Sequence, residues 1–325
     1  MGMYKKAFCA VLCLLALCCA LTACGAPETP PDAPEKAKIV TTIFPLYDWT
    51  RQILGDRADG VELTMLLDNG ADLHSYQPTV EDMARLADCD LFIYVGGESD
   101  EWVGDALKGV SNQNRRVLNL MDALGGALRE EELLPGMTPE EEDEEETAYD
   151  EHIWLSLKNA SACCSSIADT LETMGVITRQ ESGVDEYCAG LAALDARYQE
   201  TLDAAPLKTV LFADRFPFRY LADDYGLDAC AAFQGCSAET EASFETIAFL
   251  AAKLDELQLP AVLTTESADG RIAETVIRTS GRPDTPVLSL DSMQSVTAAE
   301  ASSGAAYLSI MESNLDVLRR ALGGE

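Results

Sequence analysis

Histidine is nearly missing from this chain, with only His74 and His152 in 325 residues. Basic residues are scarce too: 23 lysines and arginines stand against 56 aspartates and glutamates, a formal net charge of -33. A surface this acidic repels polyanions at long range, which excludes nucleic acid and anionic lipid headgroups as partners and leaves cations as the natural attraction. Proline is sparse, at 13 residues, and 47% of the chain is hydrophobic. Such a chain is not disordered; it can bury one or two full cores, and two domains are expected. No solenoid-type repeat is present. G-x-S-x-G, P-loop and H-E-x-x-H motifs are all absent, and the two unpaired histidines form no nucleophile-and-base arrangement by sequence, so the chain is not expected to be an enzyme.

One long apolar run is present, "AFCAVLCLLALCCALTA" behind Lys5 and Lys6. It is too short and wrongly flanked for a spanning helix and reads as a secretory signal, residues 1–23. Its end, "LTAC", resembles the cleavage pattern of bacterial lipoproteins, which would make Cys24 a lipidated N-terminus on the outer face of the cell membrane. "GAPETPPDAPEKAK" after it reads as a tether, so that residues 24–37 link lipid to fold. Removing the signal deletes two lysines and no acids, taking the charge from -33 to -35. Eleven cysteines shrink to six once the four signal residues and Cys24 are set aside. None of the six has a zinc-ligand spacing such as CxxC. An oxidising location permits disulfides, and Cys230 with Cys236 is the expected pair.

From Lys38 the text alternates strands ("KIVTTIF", "VELTMLL", "LFIYVGG", "RRVLNL") with amphipathic helices, which implies a parallel sheet covered on both faces. Thr79 with Asp82 predicts a capped helix to about Ala87. Residues 129–151 carry twelve carboxylates and little apolar content, and read as an exposed mobile loop. A helix over 178–204 places Val184, Tyr187, Cys188, Leu191, Leu194, Tyr198 and Leu202 on one stripe, suited to lying across two bodies. The second half repeats the pattern with strands "KTVLFA", "AVLTTE" and "PVLSL". The fold class is thus α/β, with an N-terminal lobe over 38–177, a bridging helix over 178–205 and a C-terminal lobe over 206–325.

Both histidines are expected to follow a strand, His74 after "VELTMLL" and His152 after the acidic loop, and ligands collect at strand ends in parallel α/β folds. "GADLHSYQPTVEDMARLADCDLFIYVGG", "YDEHIWLSLKNA", and "LSLDSM" followed by "YLSIMESNLDVL" resemble, in that order, the zinc and manganese solute-binding lipoproteins of ABC importers. The likeness covers about Lys38 to Leu322. It implies two α/β lobes, each a mostly parallel sheet, joined by one long rigid backbone helix, with a single metal in the cleft. Carried over by position, the ligands are His74, His152 and, as the last, Asp291. The family's third ligand falls on Arg215, whose guanidinium has no lone pair to offer a metal. Asp214 is the nearest substitute, Glu266 a further candidate, and Glu239 and Glu241 additional acidic ones. Asp150 and Glu151 are expected to orient His152.

Two imidazoles and two carboxylates suit Zn2+, and equally Mn2+ if the carboxylates bind through both oxygens. The acidic loop resembles the loop that precedes the second ligand in zinc-binding members, without its histidines. The expected function is that of a monomeric extracytoplasmic protein that captures zinc and hands it to an ABC-transporter permease. The alternatives are a manganese-specific counterpart, or a surface adhesin with a degenerate metal site, to which Arg215 points.

Overall fold

The computed structural model describes residues 36–109, 112, 114–137, 148–237 and 241–324. The expected signal, Cys24 and nearly all of the tether lie outside the described residues. By compactness the chain divides into Met1–Lys36 and Ala37–Glu325, and the second unit carries the fold. Among the described residues no helix is long and apolar enough to cross a membrane.

Strands β1 (Ala37–Thr41), β2 (Val61–Met65), β3 (Leu91–Tyr94) and β4 (Arg116–Asn119) form a sheet in the order β2-β1-β3-β4. Strands β5 (Thr209–Phe216), β6 (Asp228–Gln234), β7 (Val262–Thr265) and β8 (Val287–Leu290) form a second in the order β6-β5-β7-β8. All pairings are parallel. Parallel neighbours need crossover connections. Helices α1 (Phe44–Leu54), α2 (Val80–Asp88) and α3 (Trp102–Ala106) connect the first sheet. After it come α4 (Leu120–Leu124), α5 (Leu157–Thr173) and the long α6 (Val184–Ala204). Helices α7 (Arg219–Tyr225), α8 (Phe244–Glu256) and α9 (Arg271–Thr279) connect the second sheet, and α10 (Ala298–Ser302) and α11 (Tyr307–Ala321) end the fold.

Local signals account for several boundaries. The Thr79 hydroxyl accepts from Asp82 N while the Asp82 carboxylate reaches back to Thr79 N, closing a capping box on α2. The apolar stripe of α6 is buried at Val184, Tyr187, Leu191, Leu194, Tyr198 and Leu202. That helix starts at Val184 instead of Thr178 because Glu181 ties Thr178 into a separate turn and Gly183 N donates to Ile53 O at 2.9 Å. Strand β6, "DACAAFQ", has no counterpart among the strands expected from sequence. Alanine and cysteine carry little β-propensity, yet every residue from Ala229 to Phe233 is buried, and burial between neighbours decides its conformation.

One apolar core runs from Ile39 and Phe92 in the first sheet to Phe212 and Leu263 in the second; a smaller one, with Leu211, Leu250 and Val262, belongs to the second lobe alone. Polar links join the halves as well. Trp154 Nε1 donates to Ser292 O (2.8 Å), Tyr307 OH to Trp154 O (2.6 Å) and Ala298 N to Asp68 O (2.8 Å). Both Trp154 and Tyr307 are fully buried, so the first two of these bonds replace hydration that is no longer available. Replacing Tyr307 with Phe leaves the Trp154 carbonyl unpaired, and urea unfolding should show a loss of about 1–3 kcal/mol with an unchanged m-value.

Candidate metal site between the lobes

The strand order of the first sheet reverses at β1, and in open parallel sheets ligands bind in the crevice beyond the carboxyl ends of the strands at such a point. His74 stands there, in the loop after β2, on a short turn (Leu73–Ser75) whose N-terminus Asp72 caps by accepting from His74 N at 3.0 Å. His152 leads into a second short turn, Ile153–Leu155, and is fully buried. The two Nε2 atoms face each other at 3.3 Å. The opposite nitrogen of each ring is held by a carboxylate: Asp150 Oδ1 lies 3.0 Å from His152 Nδ1, and Glu151 Oε1 lies 3.1 Å from His74 Nδ1. Ser99 completes this frame, with its hydroxyl 2.7 Å from His74 Nδ1 and its backbone N–H donating to Glu151 Oε2 at 3.0 Å.

His152 Nδ1 meets Asp150, and His74 Nδ1 meets the Ser99 hydroxyl beside Glu151; with the proton of each neutral ring on Nδ1, both Nε2 lone pairs point at one place, as in carboxylate–histidine–metal triads. Two lone pairs aimed at each other need a proton or a cation between them. The 3.3 Å separation matches the edge of a tetrahedron with metal–nitrogen bonds of about 2.0–2.1 Å. The surroundings favour positive charge. Burial alone would lower the His152 pKa, but Asp150, by charge and hydrogen bond, with Glu151 and Glu131 behind it, reverses that and raises it. Burial pushes Glu151 up, yet the His74 hydrogen bond and the charges of both rings bring it below its usual value.

Two glycines make room for this packing. Gly97 has φ +83°, and a Cβ there would come within 2.6 Å of Glu151 Oε2; a Cβ on Gly235 would come within 2.7 Å of His152 Cε1. The Gly97 turn is itself held by Asp100, whose Oδ2 accepts from Val95 N (3.1 Å) and Gly96 N (3.0 Å).

Of the acidic residues expected as ligands, none joins the two rings. Asp214 Oδ2 accepts from Thr265 N at 2.9 Å and from the Thr265 hydroxyl. Glu266 accepts from Ser292 N (2.8 Å), Ser292 Oγ and Ser295 Oγ. Asp291 Oδ1 accepts from Met293 N at 2.7 Å, and burial with the nearby Glu266 charge lifts its pKa to about 6. Glu239 lies outside the described residues, and Glu241 is exposed. Arg215 Nη2 meets Asp72 Oδ2 at 2.6 Å, an ion pair that ties β5 of the second lobe to the capping residue of the His74 turn.

The third donor near the rings is one not anticipated. His74, His152 and Cys236 offer ligand atoms all within 4.8 Å of one another, and no other such group is found among the described residues. Cys236 follows β6 by two residues, and Cys230 lies within that strand. Both thiols are free, which corrects the expected Cys230–Cys236 disulfide. The extended strand carries Cys230 away at about 3.3 Å per residue, beyond bridging distance. The acidic loop is exposed at Arg129, Glu130, Glu132, Ala148 and Tyr149, as expected, but its ends are anchored. Its base forms an antiparallel bridge between Glu130 and Tyr149, Arg129 N donates to Tyr220 OH (3.1 Å), and Tyr220 OH donates to Asp150 O (2.8 Å). Residues 138–147 lie outside the described residues.

The family model for the zinc-uptake complex component A, periplasmic (ZnuA), matches residues 39–321. The chain belongs to that family. The zinc-binding lipoprotein AdcA of Streptococcus pneumoniae is 32% identical over 94% of this chain, which spans about 60% of the length of AdcA. The high-affinity zinc uptake system protein ZnuA of Bacillus subtilis is 29% identical, with 93% of each chain covered. The crystal structure of the Zn(II)-bound ZnuA-like domain of S. pneumoniae AdcA superposes with a TM-score of 0.68 at 27% identity, covering 89% of this chain and 99% of that one. A ZnuA-type protein is a solute-binding component, not a member of an enzyme family, and the two-lobe α/β fold expected from the resemblance is the one observed.

The pH dependence of stability should carry the mark of Asp100. Burial, with the Glu151 charge, pushes its pKa from 3.8 up to about 7, and its Oδ1 has no partner. The folded state therefore keeps a proton that the unfolded chain has lost across that window, so this group's contribution falls as pH rises from about 4 to 7. Asp100→Asn, neutral throughout, should flatten that fall when denaturation midpoints are compared from about pH 4 to about pH 7.

Proposed function

We propose that this chain is an extracytoplasmic zinc receptor, anchored through a lipidated Cys24, that captures the ion between its lobes at His74 and His152 and delivers it to an ABC-transporter permease. The observation that carries this reading is the pair of imidazoles, His152 buried and His74 partly so, with Nε2 atoms 3.3 Å apart and each Nδ1 on a carboxylate. A histidine kept only for packing does not need a second histidine aimed at its lone pair. The zinc names of the relatives support zinc over manganese, and the "LTAC" stretch supports the anchor.

Entry is through the cleft lined by Asp72, His74, Arg215, Phe233 and Ser237, with His74 at its wall and His152 behind. Surface carboxylates draw cations toward the mouth over roughly a Debye length, about 8 Å at physiological ionic strength. Because one core crosses both lobes, closure on the ion is a local adjustment of loops and not a wide hinge. A permease would read the surface formed when ligands from the two halves are pulled together. Arg215, which prompted the adhesin alternative, is engaged by Asp72 beside the histidine pair.

Isothermal titration of the purified protein should show one zinc per chain. His74→Ala and His152→Ala should each abolish that binding while far-UV circular dichroism stays native; retained tight binding in both would refute the site. Asp150→Asn and Glu151→Gln, which release the rings without removing a donor, should weaken zinc by about 10–100-fold.

A further inference from the structure

We infer that Cys236 is the third protein ligand of the metal, giving a His2Cys donor set that selects zinc and similarly thiophilic divalent ions and rejects manganese. This rests on the reading of His74 and His152 as ligands and goes beyond it in naming the donor that sets the choice of ion.

Topology is the first support. The two sheets share one strand order, so β6 occupies in the second lobe the place β2 holds in the first. His74 follows β2 and Cys236 follows β6. The two lobes therefore offer one donor each from equivalent crevice positions. Register is the second. Phe216, at the end of β5, pairs with Gln234, and Gly235 then brings the chain against the His152 ring, which sets the thiol within 4.8 Å of both imidazole donors.

Elimination is the third. Asp214, Glu266 and Asp291 are not in the group of donor atoms that His74, His152 and Cys236 make among the described residues, and Arg215 holds Asp72. Cys236 has no disulfide partner. Its thiol is half-buried, with Glu131, Glu151 and Asp150 around it. A thiol kept for packing has no reason to sit among three carboxylates. With a divalent ion present, the metal–sulfur bond replaces the sulfur–hydrogen bond, the proton leaves to water, and the carboxylates then surround a cation.

A thiolate is a soft donor. It binds zinc, cobalt and cadmium well and manganese poorly, whereas an all-oxygen third ligand would leave manganese in contention. The site thus discriminates by chemistry where the resemblance alone left two metals open.

The test is cobalt substitution of the purified, reduced protein. The wild type should show a sulfur-to-cobalt charge-transfer band in the near ultraviolet. Cys236→Ser should lose that band and bind zinc at least about a hundredfold more weakly, exceeding the 10–100-fold typical of losing a residue behind a ligand. A hundredfold excess of manganese should not displace zinc from the wild type. If Cys236→Ser keeps its zinc affinity within about twofold and an unchanged cobalt spectrum, the cysteine assignment is overturned, while loss of binding in His74→Ala still supports the metal centre. If the wild type binds no zinc, both readings fall. Should the serine variant not fold, X-ray absorption of the zinc-loaded wild type decides: sulfur at about 2.3 Å supports the assignment, and nitrogen and oxygen alone overturn it.

Discussion

Two imidazole lone pairs pointed at each other across 3.3 Å are unfavourable unless something positive lies between them, and the surrounding fold is arranged to keep them so. Asp150 and Glu151, adjacent in sequence, divide the task, one holding His152 and the other holding His74 from the far side of the crevice. Buried carboxylates are costly when unpaired. Here each is matched to a ring nitrogen, and Glu151 also accepts from Ser99. The glycines at 97 and 235 exist in the same service, since a side chain at either would occupy the space of Glu151 or His152.

Rigidity follows from the same need. Donors drawn from separate chain segments stay aligned only if the segments are fixed, and the shared core with the Trp154, Tyr307 and Ser292 links supplies this. The Asp72–Arg215 pair adds an electrostatic tie across the crevice. Both partners are partly exposed, so it contributes little to stability; its effect is on position, because Asp72 also caps the turn that presents His74. An arginine where a ligand was expected therefore serves the site without touching the ion.

The base of the acidic segment belongs to the same arrangement. Glu131 lies against the Cys236 thiol, and burial raises its pKa. The Glu130–Tyr149 bridge and the Tyr220 bonds hold this part of the chain on the second lobe. A stretch that composition marks as solvated becomes, where its ends meet, one wall of a buried polar cluster.

Periodicity determined most of the architecture in advance: the strands of the first sheet, the α2 cap at Thr79 and the buried stripe of α6 were all legible, because each reports a local preference that packing then reinforced. The two histidines were legible as the only ones in the chain and from the motifs around them; His74 lies in the loop after β2, whereas His152 follows the acidic loop and no strand. Strand β6 was not, since its alanines and cysteine carry no β signal and only burial between neighbours makes it a strand. With that strand hidden, Cys236 could not be seen as the residue at its carboxyl end, and its spacing from Cys230 suggested a disulfide instead. Which side chains share a crevice depends on strand order and register, and these are set by the packing of distant segments, so the convergence of His74, His152 and Cys236 was decided only by the tertiary structure.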